Sequence, residues 1–222
     1  GTQVERLHVR ADAPDEAHQD AARAELDEAV QAIRAESGLK GLVIGSAKES
    51  FIVGADITEF GATFQRPEEE IAAWAFEANK IFNAIEDLPF PTVTAINGLA
   101  LGGGCEVTLT TDFRVMGDKA KIGLPEIMVG IFPGAGGTTR LVRKLGAMQA
   151  APLLLEGKLN DPTKAKAAGT TVVLIAHRPS VVAAVDKLLV LKDGMVDQFG
   201  ARADVLKAIS APPGTRQVAT AP

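Results

Sequence analysis

Cysteine is almost absent from this chain: Cys105 is the only one in 222 residues. An internal disulfide is therefore impossible, and a reducing cytoplasm is the expected setting. Basic residues are not in excess either. Lys and Arg total 23 against 28 Asp and Glu, giving a formal net charge of −5 at pH 7, a balance that argues against a nucleic-acid partner. It leaves room for an anionic ligand held locally by glycine loops. Long apolar runs are missing, because the apolar stretches are short and interrupted by glycine, so no membrane span is expected. The first residues do not place a basic region before an apolar one, so no signal peptide is expected. Two phosphate-cradling patterns, G-x-x-x-x-G-K-[ST] and G-x-G-x-x-G, do not occur. Their absence argues against a nucleotide-hydrolysing motor and against a dinucleotide-dependent oxidoreductase.

What is present is a 46% hydrophobic, 23% charged chain, the composition of a globular protein with a sizeable core. Its length suits one large domain or one and a half ordinary ones. Leu26, Val30 and Ile33 share one face of a helix expected over Ala22–Ala35, which Gly38 ends. A second, longer helix is expected over 67–87, where Ile71, Trp74, Ala78, Ile81, Phe82 and Ile85 recur at helical spacing. Trp74 reads as core. Strands are expected near Val4–Val9, at Leu42–Ile44, Phe51–Val53, Thr92–Ile96, Phe113–Met116 and Lys121–Gly123. Two further helices are expected at Thr138–Leu145 and Ala147–Leu155; the texture changes near residues 157–170, where Gly157-Lys158 and Asn160-Asp161-Pro162 read as loop-like. Beyond them come an apolar strand at Thr170–Ala176, a hairpin turning at Asp193-Gly194, and a last helix over Ala201–Ile209. The pattern is α/β, but it does not alternate cleanly enough for a Rossmann sheet.

Two glutamates follow glycine-rich turns in the middle of the chain. Glu106 closes Leu101-Gly102-Gly103-Gly104-Cys105-Glu106, and Glu126 closes Gly123-Leu124-Pro125-Glu126. A triple glycine lets backbone approach a ligand closely, and the N–H groups of a helix starting there favour negative charge. Paired carboxyls can do acid–base work on a polarised carbonyl. Taken singly, Glu106 reads as a helix-dipole partner and Glu126 as solvated surface; taken together they read as a site. Cys105 reads as a packed thiol with no nearby histidine in sequence, Asp56 as a turn residue, and Lys158 as a solvated cation within reach of a phosphate at best.

The stretches FIVGADITEF (51–60), PTVTAINGLALGGGCEVTLTTDFRV (91–115), KIGLPEIMVGIFPGAGGTTRL (121–141) and LLEGK (154–158) closely resemble the crotonase, or enoyl-CoA hydratase/isomerase, family. Several long motifs occur in order over about three fifths of the chain. The resemblance implies a crotonase-like spiral of ββα repeats, truncated here at both ends. It implies an acyl-CoA thioester as substrate, trimeric assembly, and no metal or separate cofactor. Carried residue by residue, it makes Glu106 and Glu126 the catalytic carboxylates and the N–H groups of Ala55 and Gly103 the oxyanion hole. Gly54, Asp56, Gly102, Gly104, Pro133 and Gly134 become substrate-binding positions, with the backbone of Gly134 beside the second glutamate. The separation 126 − 106 = 20 residues is the family's.

The flanks depart from that pattern. Residues 1–21 retain at most a trace of the expected first hairpin, at Arg10-Ala11-Asp12-Ala13-Pro14. Residues 169–200, GTTVVLIAHRPSVVAAVDKLLVLKDGMVDQFG, resemble the end of an ABC-transporter ATPase domain, with His177 at the position that meets a γ-phosphate. No phosphate loop or signature motif accompanies it, and Leu26-Asp27-Glu28 lacks the apolar strand of a Walker B. The expected organisation is a crotonase-like core over 1–165, a βαββα segment of ABC-ATPase type over 166–210, and a disordered tail over 211–222. The expected function is enoyl-CoA hydration in fatty acid β-oxidation, with double-bond isomerisation as a possible companion. Its alternatives are an inactive chimera that keeps the site residues and, more remotely, an ATP-binding fragment.

Overall fold

The computed structural model describes residues 5–7, 18–58, 60–167, 172–175, 182–183, 185–192 and 195–210. The Arg10–Pro14 trace, His177, the Asp193-Gly194 turn and the tail after 210 lie outside them. The chain divides into two compact units, Gly1–Ile175 and Ala176–Pro222.

The first unit is built on five parallel strands: β1 (Glu5–Leu7), β2 (Leu42–Gly45), β3 (Thr92–Ile96), β5 (Phe113–Gly117) and β7 (Val172–Ile175), side by side in the order β1-β2-β3-β5-β7. Its fifth strand comes from the stretch likened above to an ABC ATPase. A parallel sheet needs crossovers, which here are mostly helical. Between β1 and β2 runs α1 (His18–Ala35); between β2 and β3 run α2 (Phe60–Thr63) and α3 (Glu68–Glu86). Strand β3 alternates buried and half-buried residues. Its inward Thr92 and Thr94 satisfy their hydroxyls on Asp112 Oδ2 at 2.9 Å and Thr111 Oγ1 at 2.8 Å. Val30, Leu42, Ile44, Ile81, Phe82, Ile85, Ile96 and Met116 form one buried cluster between sheet and helices. Trp74, expected in the core, is half-buried, with the Arg23 guanidinium 5.0 Å from its ring.

The expected strand at Phe51–Val53 is reduced to one bridge, Ile52 to Ala100. The ladder forms instead between β4 (Leu99–Leu101) and β6 (Lys121–Gly123), which are parallel. Helix α4 (Gly103–Thr110) follows β4, a 3₁₀ turn (Pro125–Val129) follows β6, and α5 (Gly137–Leu145) and α6 (Ala147–Leu155) come next. The loop-like Asn160-Asp161-Pro162 leads into a helix that was not expected, α7 (Pro162–Ala167). Asp161 starts it, its Oδ1 accepting from Lys164 N–H at 2.9 Å, and proline at the first position costs no hydrogen bond.

In the second unit, β8 (Lys187–Lys192) and β9 (Met195–Ala201) pair antiparallel, with a register shift between Val190 and Leu191. Helix α8 (Arg202–Ser210) follows. Among the described residues no helix is long and apolar enough to cross a membrane.

Candidate active site

Three chain segments run parallel and end together. Ile52 bridges Ala100 in parallel, Leu101 N–H donates to Ile52 O at 2.9 Å, and Leu101 lies opposite Gly123 in the β4–β6 pair. Gly102 N–H then donates to Gly123 O at 3.1 Å. The corner Gly54-Ala55, the start of α4 at Gly103, and the turn carrying Glu126 are thereby gathered at one end of the three segments. Sequence separations of tens of residues close through backbone pairing alone.

Gly102 makes the gathering possible. Its φ of 54° and ψ of −125° suit glycine only, and a Cβ there would stand 3.4 Å from Glu126 Oε1. Gly54, at φ 87°, has its open side toward Leu101 O and within 3.7 Å of Gly103 N. Among the described residues the N–H groups of Ala55 and Gly103 have no hydrogen-bond acceptor. Two unpaired donors, one on the exposed Ala55 and one opening α4, thus lie on adjoining segments. Gly104 is buried against the Ile52 carbonyl, which leaves no space for a Cβ.

Glu106 lies in the first turn of α4 with 3% of its surface exposed. Its Oε1 accepts from Ala135 N–H at 2.9 Å and Gly137 N–H at 2.8 Å. Burial raises its pKa to about 7; the nearby Glu126 charge adds to the rise, while the two N–H groups and Arg140 oppose it. Glu126 sits in the 3₁₀ turn, half-buried, with Oε2 buried and without a partner among the described residues. Its pKa is also raised, again by burial first. Both carboxyls are therefore biased toward holding a proton at higher pH than a free glutamate; Glu106 is held by two N–H groups of another loop, while Glu126 is opposed only by its own backbone N–H. The Cys105 thiol between α4 and its neighbours is buried and pushed far up by that burial and by both glutamates, as suits a packed thiol.

The remaining candidates fall into two groups. Pro133 is buried, close to where a Cβ on Gly137 would go, and Gly134 O accepts from Asn79 Nδ2 at 2.6 Å. The bonds from this loop to a glutamate run to Glu106, through Ala135 and Gly137. Asp56 lies on the surface, where its Oδ1 accepts from both Thr58 N–H at 2.8 Å and Thr58 Oγ1 at 2.7 Å, so it shapes the turn after Ala55. Lys158 is exposed and pairs with Glu156. Among the described residues no group of His, Cys, Asp and Glu is arranged to hold a metal ion. Arg140, with Asn79, Asn83 and Glu86 on α3, was not expected at the site. The signal was a polar stripe at spacings of four and three on a helix read only for its apolar face.

Known proteins share the sequence and fold of this chain. The enoyl-CoA hydratase/isomerase family model matches residues 7–209, and the chain belongs to that family. The fatty acid oxidation complex subunit alpha of Pseudomonas putida GB-1 is 46% identical over 185 residues, covering 83% of this chain and 26% of that protein. The subunit of the same name from Pseudomonas paraeruginosa PA7 is 51% identical over 162 residues, covering 73% of this chain and 23% of that one. The chain thus spans about a quarter of the length of these relatives. A crystal structure of enoyl-CoA hydratase from Bacillus anthracis superposes with a TM-score of 0.63 at 33% identity, over 74% of this chain and 64% of that one. The fold is accordingly the α/β crotonase fold. The family match runs through the stretch likened to an ABC ATPase, and that part of the expected fold finds no support.

Proposed function

We propose that this chain is an enoyl-CoA hydratase, adding water syn across the double bond of a trans-2-enoyl-CoA in fatty acid β-oxidation. The observation that carries the reading is the pairing of two carboxyls, Glu106 and Glu126, both raised in pKa by burial, with two unpaired N–H groups at the shared end of three parallel segments. In this reading the N–H groups of Ala55 and Gly103 receive the thioester carbonyl oxygen. As negative charge builds on that oxygen, two fixed donors stabilise it, each worth about 10²–10³ in rate. Polarisation leaves the β-carbon electrophilic. Glu106, ionised and oriented by Ala135 and Gly137, accepts a proton from water as the water oxygen bonds to the β-carbon. Glu126, protonated, delivers its proton to the α-carbon, and exchange between the two carboxyls and solvent restores the starting state. The free Glu126 Oε2 is suited to that mobile role and the tethered Glu106 to a fixed one.

Gly54, Asp56, Gly102, Gly104, Pro133 and Gly134 shape the approach of the acyl-CoA in this reading, Asp56 only through the turn it holds. Glu126 alone suffices to move a proton between carbons, so enoyl-CoA isomerisation belongs to the same proposal. Trimeric assembly is also part of it, supported by the exposure of Met128, Phe132, Met148 and Leu155 around the 3₁₀ turn and α6. The test is hydration of crotonyl-CoA, followed as loss of the conjugated-thioester absorbance. Turnover is expected, and it is expected to fall about 10³-fold or more in Glu126→Gln and in Glu106→Gln. A folded sample without turnover refutes the reading.

A further inference from the structure

Arg140 is a buried cation, 3% exposed, and its fork reaches three acceptors on two segments, α3 and the loop before α5. Nε donates to Glu86 Oε2 at 2.8 Å, Nη2 to Asn83 Oδ1 at 2.5 Å, and Nη1 to Ala135 O at 2.9 Å. The Ala135 residue is shared between two partners: its carbonyl is held by Arg140 while its N–H is aimed at Glu106. Gly136, next in the loop, has φ 94°, and the place a Cβ would occupy is filled by the Arg140 guanidinium. The loop is shaped around that group. One turn back on α3, Asn79 Nδ2 holds Gly134 O at 2.6 Å and its own helix through Ala75 O at 2.9 Å.

We infer that Arg140 is a positioning residue, which fastens the loop Pro133–Gly137 to α3 so that two N–H groups of that loop keep Glu106 Oε1 in the orientation hydration requires. It touches Glu106 only through the backbone of Ala135, so its effect is on the geometry and protonation of that carboxyl. The inference rests on the hydratase reading for its catalytic meaning; the geometric part stands without it. Charge alone is the competing account. The ionisable groups that face Glu106 are Glu126, Arg140 and the Cys105 thiol; those that act on Arg140 are Glu86 and Glu106 from neighbouring elements and Lys144 from its own helix. A lysine at 140 keeps a positive charge among them, but it cannot hold three acceptors in one plane.

The experiment compares wild type with Arg140→Lys and Asn83→Ala. Two measurements are made: kcat and KM for crotonyl-CoA against pH, and the titration of Glu106 by ¹³C NMR of labelled glutamate, assigned with Glu106→Gln. If Arg140 positions the loop, Arg140→Lys lowers kcat by about tenfold to 100-fold, leaves KM within about twofold, and moves the Glu106 titration to higher pH, because the N–H donors that favour the carboxylate are lost. Asn83→Ala removes one bond of the fork without stranding a charge, and it is expected to shift both readings in the same direction by less. Wild-type kcat and an unmoved Glu106 titration in Arg140→Lys overturn the inference. If Arg140→Lys does not fold, the same pair of unchanged results in Asn83→Ala overturns it. Absence of turnover in wild type would remove the hydratase reading, and the NMR titration alone would then decide whether Arg140 positions Glu106.

Discussion

Glu106 is expected to make the folded protein less stable as pH rises, and Glu106→Gln is expected to remove that dependence. Burial, net of the opposing N–H groups, lifts this carboxyl from its ordinary 4.5 to about 7. Between those values the folded protein keeps a proton that the unfolded chain has released, so rising pH favours unfolding. The stabilisation is fully present below about pH 4.5 and lost as pH passes through about 7. At about 1.4 kcal/mol for each tenfold, the rise is worth about 3 kcal/mol in total, most of which falls between about pH 5 and pH 8. With 3% of the residue exposed, solvent screening takes little from that figure. Glutamine offers a carbonyl oxygen to the same two N–H groups and cannot ionise. Urea melts of wild type and Glu106→Gln across this pH range provide the assay. The stability difference is expected to move toward the variant by about 2–3 kcal/mol, and subtracting the two curves cancels the titration of shared groups that do not interact with Glu106. Parallel curves would mean that Glu106 ionises in the folded protein as freely as in the unfolded chain, and the reasoning from burial would fail.

Gly137→Ala places a Cβ 2.9 Å from Glu106 Cγ and Oε1 and 3.0 Å from Pro133 Cβ. It is expected to displace the carboxyl and cut crotonyl-CoA turnover by about 100-fold while the circular dichroism spectrum stays native; unchanged turnover would show that the loop relaxes freely. Gly102→Ala is expected to cost about 1–3 kcal/mol in a denaturant melt, because its backbone angles are open to glycine only. Asp161→Ala removes the cap of α7 and is expected to cost about 1 kcal/mol, read in the same way; no change would mean that Pro162 alone starts the helix.

The candidate site was legible because its residues sit in long, ordered motifs, and the strands β2, β3, β5 and β6 because apolar runs between turns mark them. Short segments were harder. Phe51–Val53 and Leu99–Leu101 are each three residues of apolar or small character, too short for a period to choose between them. Backbone pairing with β6 gave the ladder to the second, leaving the first a single bridge. Asn160-Asp161-Pro162 reads as a turn because the residues that cap a helix are also those that make turns; only the Asp161 bond to Lys164 distinguishes the two. The Arg140 fork was hidden for another reason. Asn83 and Glu86 lie 57 and 54 residues before Arg140 in sequence, and nothing local to α3 says that its polar stripe faces protein instead of water. The expected ABC-ATPase end rested on a local string, and part of that string, Val172–Ile175, serves as the fifth strand beside β5. An apolar strand of that kind suits any parallel sheet.

Cys105, the residue before Glu106, is the chain's single cysteine, and it is buried with its thiol held far from ionisation. An alkylating reagent therefore cannot reach a thiolate there while α4 is seated. Because no second thiol competes, the rate at which this one is labelled is a clock for the unseating of the helix that carries Glu106. An acyl-CoA that binds across the start of α4 would slow that clock, giving a way to detect occupancy without any turnover at all.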